Sequence, residues 1–109
     1  MEDRRIFERI KTSFPLRFLD PISGGEGKAE TVDISANGVG FLTNRALSAG
    51  TPLEMWMDIP DQREPLYTRG EVVWSSSSPE VKERRIGVHL EKAELMGLAR
   101  VLWMRRHKI

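Results

Sequence analysis

Three arginines near the start of this 109-residue sequence have the spacing and the chemistry of an anion-binding group. They form Arg5-x-x-x-Arg9, preceded directly by Arg4. The planar guanidinium forms bidentate hydrogen bonds with phosphate and also stacks on flat bases. Taken alone, such a group would be interpreted as a solvated, charged terminus, because exposed charges contribute little by themselves.

A second group, Asp33-x-Ser35-x-x-Gly38, complements the arginines. The Asp33 carboxylate can accept hydrogen bonds from the two adjacent donors of a guanine edge, and the Ser35 hydroxyl can donate or accept. Asn37 and Gly38 are expected to form a tight turn with positive φ, where the glycine also lets backbone approach a bulky ligand. Capping of this turn by the short polar side chains is the simpler alternative. Together, the two groups predict a site for an anionic nucleotide.

The elements that must position these groups are mostly strands. Alternating apolar residues and Gly, Pro and Asn turns predict six strands, over residues 14–19, 29–35, 39–43, 52–59, 66–75 and 85–90. Leu53, Met55, Met57 and Ile59 form a clear inward face. Many short strands with close spacing are typical of a small barrel.

The end of the chain changes to helical periodicity. Leu95, Leu98, Ala99 and Leu102 recur at helical spacing, and Arg105 and Arg106 lie where a helix end favours cations. The predicted fold is therefore all-β with a C-terminal helix, a six-stranded antiparallel barrel in one domain over residues 1–109. Its expected parts are an arginine-bearing switch segment, poorly ordered without ligand, at 1–12, a barrel at 13–91 and a helix at 92–107.

Several other residues allow a functional and an ordinary interpretation. Trp74 could stack on a base, but it shares an alternating face with Val72, and core packing is the favoured expectation. Trp56 alternates with methionines and is expected to face outward or toward the helix. Arg84 and Arg85 are interpreted as solvated surface charge. His89 and His107 lie far apart in sequence, so no metal site is predicted.

The two motifs together resemble those of the PilZ domain family. Arg4-Arg5-x-x-x-Arg9 followed by Asp33-Ile-Ser35-Ala-Asn37-Gly38 is similar to the RxxxR and D/NxSxxG pair of that family, except that many members have glycine where Asn37 stands. Residues 15–18 and 85–90 resemble the family's first and closing strands. The resemblance implies a barrel on which the bacterial second messenger cyclic di-GMP lies, covered by the N-terminal arginines. It implies Arg4, Arg5, Arg9, Asp33, Ser35 and Gly38 as ligand-binding residues. Asn37, within the motif, and Trp74, as a stacking surface, are secondary candidates.

Composition restricts the function further. A net charge of +1 does not suggest a nucleic-acid-binding polycation, and the sequence contains no cysteine for disulfides or thiol chemistry. No apolar run could span a bilayer and no secretory signal is seen, so a cytoplasmic protein is expected. No nucleophile–base pair suggests an enzyme, and no cofactor is predicted.

The predicted function is a cyclic di-GMP receptor that changes its N-terminal segment, and with it the surface offered to a downstream protein partner. One alternative is a PilZ-like interaction module that binds no nucleotide and docks another protein through Trp103 and Met96. Another is a small barrel that binds single-stranded RNA, although the sequence suggests no strand face that combines aromatic and basic residues. The oligomeric state is left open.

Overall fold

The computed structural model describes residues 8–78 and 81–106, which form seven strands and one helix. These are β1 (Ile10–Lys11), β2 (Pro15–Leu19), β3 (Glu26–Ser35), β4 (Gly38–Thr43), β5 (Pro52–Met57), β6 (Leu66–Ser78), β7 (Val81–Leu90) and α1 (Leu95–Arg106). The six predicted strands are confirmed as β2 to β7. No helix in the described part of the chain has the length and apolar content needed to cross a bilayer.

The strands form a closed antiparallel barrel, as predicted. Their order is β3-β2-β5-β6-β7-β4, and β4 closes the barrel by pairing with β3. The short strand β1 pairs with β3 at Asp33 and Ile34, beyond the end of the β2 pairing, so β1 and β2 follow the same edge of β3. The final residues of the predicted switch segment therefore lie in a strand, whereas residues 1–7 lie outside the described part.

The core fills the barrel with the inward-facing side chains of β2 to β7. The predicted inward face of β5 is confirmed, because Leu53, Met55, Met57 and Ile59 are at most 1% exposed. The rings of Phe18 and Phe41 stack inside the barrel with their centres 5.7 Å apart. The other buried members of this cluster are Phe14, Leu16, Ile34, Val39, Val72, Ile86, Val88, Leu90 and Val101.

Helix α1 packs on the barrel through a face that differs from the one its spacing suggests. Leu98 and Val101 are buried, whereas Leu95 and Leu102 are 56% and 45% exposed. A Cβ atom at Gly97 would lie 2.6 Å from Cδ2 of Leu66, so the glycine allows the helix to approach β6 closely. Apolar residues surround most of this helix, and periodicity alone therefore could not identify the buried side.

A buried ion pair fastens the helix to the loop between β5 and β6. Nε and Nη2 of Arg100 donate to the two carboxylate oxygens of Asp61, both at 2.6 Å, and Nη2 also donates to the Glu64 carbonyl at 3.0 Å. The two side chains are only 9% and 3% exposed. Because removal of one partner leaves a buried charge unpaired, this contact is expected to contribute strongly to helix docking.

The Asp61–Arg100 pair predicts a loss of stability in acid. Hydrogen bonding to Arg100 lowers the pKa of Asp61 from 3.8 to about 2, and a lowered pKa stabilises the folded state only while the carboxyl is ionised. This contribution, about 2 kcal/mol, is complete above the unfolded pKa near 4 and is lost as the pH falls toward 2. Urea unfolding of the Asp61→Asn variant at neutral pH should show a loss of about 3 kcal/mol. It should also show a weaker acid dependence than the parent.

The matched control is Asp58→Asn, which changes an exposed carboxylate three residues earlier. Its unfolding free energy should stay within about 0.5 kcal/mol of the parent. Equal losses in the two variants would contradict the role given to the buried pair.

Candidate functional site

Four residues form a cross-strand row on the outer face of the barrel. In register order they are Asp33 on β3, Gly40 on β4, Gly87 on β7 and Trp74 on β6. The adjacent row of these strands, which includes Ile34, points into the core. The two glycines add no side chain of their own, and the side chains of Asp33 and Trp74 lie over Gly40 and Gly87 respectively. The four residues, with a carboxylate at one end and an indole at the other, are called the outer row.

Two β-bulges turn the ends of the outer row outward. The β3–β4 register shifts between Thr31 and Asp33, and the β6–β7 register shifts between Val72 and Trp74. At each shift one strand has an extra residue, Val32 in β3 and Val73 in β6. The side chain after the extra residue therefore points to the opposite face from the one that simple alternation predicts. Thr31 and Val72 are therefore buried, while Asp33 and Trp74 lie on the outer face.

Trp74 corrects the expectation of core packing. It is 44% exposed, whereas Val72 is fully buried. Its indole lies directly over Gly87, since a Cβ atom added there would be 2.2 Å from Trp74 Cε2. The indole therefore covers the β7 backbone and keeps one side available to solvent, which is the geometry of a stacking surface.

Asp33 lies between two arginines. Arg9 Nη2 donates to its Oδ1 at 2.8 Å, and Arg85 Nη2 donates to its Oδ2 at 3.4 Å. The Asp33 side chain is 16% exposed, and both arginine side chains are about half exposed. The expectation that Arg85 is merely solvated charge is therefore wrong. Its position beside Asp33, on the other side of β4, depends on the β4–β7 register, which the sequence pattern does not reveal.

The predicted turn is present, but its conformation differs from the expectation. Ser35 pairs with Gly38, so Ala36 and Asn37 occupy the corner. Neither Asn37 nor Gly38 has positive φ. Glycine instead avoids crowding, because a Cβ atom at Gly38 would lie 3.1 Å from the Val88 carbonyl oxygen and 3.2 Å from Arg9 Nη1.

Ser35 is fully buried, and its hydroxyl donates to Oδ1 of Asn37 at 2.9 Å. The described structure thus shows Ser35 and Asn37 shaping the turn, and direct contact of Ser35 with a ligand stays a prediction. His89, which the sequence did not suggest as a site residue, is exposed and pairs with Gly38 on the same outer face. Arg4 and Arg5 lie outside the described residues.

A second outer face also departs from expectation. Arg17, Trp56 and Tyr67 are cross-strand neighbours on β2, β5 and β6, with the Arg17 guanidinium 5.6 Å from the centre of the Trp56 ring. The barrel thus does combine aromatic and basic side chains on one face, contrary to the sequence prediction. The Tyr67 hydroxyl donates to Glu54 Oε1 at 2.6 Å, so a carboxylate lies within this face. In residues 8–78 and 81–106, no three acidic or histidine side chains are grouped to hold a metal ion.

The close contact between Gly87 and Trp74 predicts the effect of one added methyl group. Gly87→Ala should push the indole off the β7 backbone, because the new Cβ would occupy its position. With Trp56 and Trp103 changed to Phe, Trp74 is the remaining fluorophore of the three tryptophans. Its emission should move to longer wavelength, and acrylamide should quench it more strongly.

The control for this substitution is Gly25→Ala, since a Cβ atom at Gly25 would meet only the side-chain ends of Ser23 and Arg45, at 3.3 and 3.5 Å. Its emission should match the parent. An unchanged Trp74 signal in the Gly87→Ala variant would contradict the described packing.

Comparisons with known proteins support the fold and assign the family. The structure is similar to the PilZ domain with c-di-GMP of YcgR from Escherichia coli, with a TM-score of 0.71, 14% identity and coverage of 95% of this chain and 93% of that one. The PilZ domain of CeSA from a cellulose-synthesizing bacterium gives a TM-score of 0.63 and 16% identity, covering 92% and 99% of the two chains.

The Bacillus subtilis inhibitor of motility, MotI/DgrA, matches with a TM-score of 0.70 and 14% identity. The alignment covers 97% of this chain and only 51% of that protein, so this chain spans about half the length of MotI/DgrA. A comparison with curated protein sequences finds no match. The family model for the PilZ domain matches residues 3–103, and the chain therefore belongs to the PilZ domain family of receptor modules.

Proposed function

We propose that this protein is a receptor for cyclic di-GMP and that the nucleotide binds over the outer row. The observation that carries the proposal is the Asp33 carboxylate between two arginines at one end of the outer row, with an exposed indole at the other end. Membership of the PilZ family and the likeness to a PilZ domain with c-di-GMP support the choice of ligand. A bacterial cytoplasmic location follows from the same proposal.

Asp33 is proposed to recognise guanine. Its two oxygens match the adjacent N1–H and exocyclic amine of that base, and a carboxylate offers about four lone-pair positions. In the free protein, Arg9 and Arg85 occupy part of this capacity. Each oxygen accepts from one guanidinium, so the two donors of a guanine edge can use the remaining position on each oxygen while both arginines stay in place. The other N–H groups of the arginines can then form charge-assisted hydrogen bonds with a phosphate of the same ligand.

Trp74 is proposed to stack on a base through the face of its indole that points away from Gly87. Glycine at this position lets the indole lie on the β7 backbone, so that its outer face is open to a flat ring. Stacking of a base on an aromatic side chain contributes about 1–3 kcal/mol. The second aromatic face, with Trp56 and Tyr67, is less suited to an anionic ligand because Glu54 lies within it.

Charge balance gives Arg4 and Arg5 a function in this proposal. Arg9, Arg85 and Asp33 together leave a single net positive charge, whereas the ligand carries two phosphodiester charges. The two N-terminal arginines would supply the remaining neutralisation. Because they precede Arg9 by only four and five residues, they would close over the ligand from the N-terminal side of β1. This movement would change the surface seen by a downstream protein.

Isothermal titration calorimetry tests the proposed site. The parent protein should bind cyclic di-GMP with a dissociation constant in the micromolar range or below, and Arg9→Ala should weaken binding by about ten- to a hundredfold. Asp33→Ala should weaken it as well and should reduce the preference for cyclic di-GMP over cyclic di-AMP. A site that reads paired donors rejects an analogue that lacks them.

The control is Arg17→Ala, which removes an exposed arginine from the opposite face. Its affinity should equal that of the parent, and melting temperatures should show that all variants remain folded. Absence of binding by the parent would refute the proposed function. Equal losses in Arg17→Ala and Arg9→Ala would refute the proposed site.

Hydrogen exchange tests the proposed closure. On addition of cyclic di-GMP, the amides of residues 4–9 should become protected as the arginines close over the ligand. Protection of β1 should change less, since Ile10 and Lys11 already pair with β3 in the free protein. If protection at residues 4–9 is the same with and without ligand, signalling does not use this movement.

A further inference from the structure

Helix α1 has apolar side chains on two opposite faces. Its inner face, with Leu98 and Val101, is buried on the barrel. Its outer face, which we define as Leu95, Met96, Ala99, Leu102 and Trp103, is exposed, and the four large side chains are 45–60% accessible. At about 100° per residue these five positions form one stripe centred on Ala99. An apolar stripe on a helix is normally covered, so the outer face has the character of a contact surface.

The charges at the two ends of the helix differ in sign. Glu91, Lys92 and Glu94 precede its first turn and together carry one net negative charge, with Glu91 paired to Arg69 at 2.9 Å. Arg105 and Arg106 lie in its last turn. Two copies of α1 packed in parallel would bring like charges together at both ends. Two antiparallel copies would place the basic end of each beside the acidic start of the other, and their helix dipoles would also be favourably opposed.

The distribution of side-chain size fits the same arrangement. Ala99 is the smallest residue of the outer face and lies at its centre, where two helix backbones approach most closely. In a two-fold antiparallel pair centred there, Leu95 and Met96 of one copy meet Trp103 and Leu102 of the other. Large apolar side chains would therefore contact each other on both sides of the axis. The surface is complementary to itself, as a two-fold interface requires.

We propose that the protein forms a dimer through the outer face of α1, with the two helices antiparallel and Ala99 at the two-fold axis. This proposal does not depend on nucleotide binding, because it rests on the exposure, charge and shape of the helix.

Sedimentation velocity over a range of protein concentrations tests the association. The parent should convert from monomer to dimer with increasing concentration, and Leu102→Glu should remain monomeric because it buries a charge in the apolar contact. The matched control is Ile22→Glu, which changes an 81% exposed residue in the turn after β2 and should dimerise like the parent. A parent that stays monomeric at all concentrations, or equal effects of both substitutions, would overturn the proposal.

Cysteine cross-linking tests the orientation, and the absence of natural cysteine makes it unambiguous. A disulfide requires Cα atoms about 4.4–6.8 Å apart. Cysteines at position 99 would meet at the axis, whereas those at position 106 would lie roughly 21 Å apart along it. Under mild oxidation, Ala99→Cys should form a linked dimer and Arg106→Cys should not. Efficient linking of Arg106→Cys, or none of Ala99→Cys, would rule out the antiparallel arrangement.

Discussion

Closure of the barrel requires its strands to bend and to shift their register, and the candidate site depends on how this chain meets that requirement. The bulge of β3 between Thr31 and Asp33 and that of β6 between Val72 and Trp74 accommodate part of the curvature. The residue directly after each bulge has a side chain suited to ligand binding, the carboxylate of Asp33 on β3 and the indole of Trp74 on β6. The geometry that closes the barrel thus also presents a carboxylate and an indole on its outer face, separated by the backbone of Gly40 and Gly87.

The turn between β3 and β4 connects the candidate site to the helix through two backbone hydrogen bonds. The Ala36 carbonyl, in the turn between β3 and β4, accepts from the Glu94 amide at 2.6 Å, and the Asn37 carbonyl accepts from the Leu90 amide at 2.8 Å. The turn that follows Asp33 therefore holds the end of β7 and the residue before α1. A ligand that shifts this turn would move the start of the helix, and with it the proposed dimer surface. Coupling between ligand and partner would then need no other moving element.

The sequence predicts which side chains of a strand point inward only where no bulge interrupts the alternation of inward and outward residues. The unbroken pattern of β5 correctly identified its inward face, and the combination of strands and one helix led to the correct barrel. The same reasoning failed at Trp74, because a bulge reverses the face and valine at the bulge is an ordinary strand residue. Arg85 was missed because its contact with Asp33 depends on pairing between distant strands. The buried side of α1 was missed because both of its sides are apolar.

The three tryptophans lie on three different surfaces and together allow the most direct test of the account. Trp74 belongs to the outer row, Trp56 to the face of β2, β5 and β6, and Trp103 to the outer face of α1. Their indole N–H signals in a nitrogen-15 NMR spectrum can be assigned with single Trp→Phe variants. On titration with cyclic di-GMP, the Trp74 signal should shift and saturate, and the Trp56 signal should not move. A Trp74 signal that stays unchanged at saturating ligand, or a shift of Trp56 in its place, would contradict binding over the outer row.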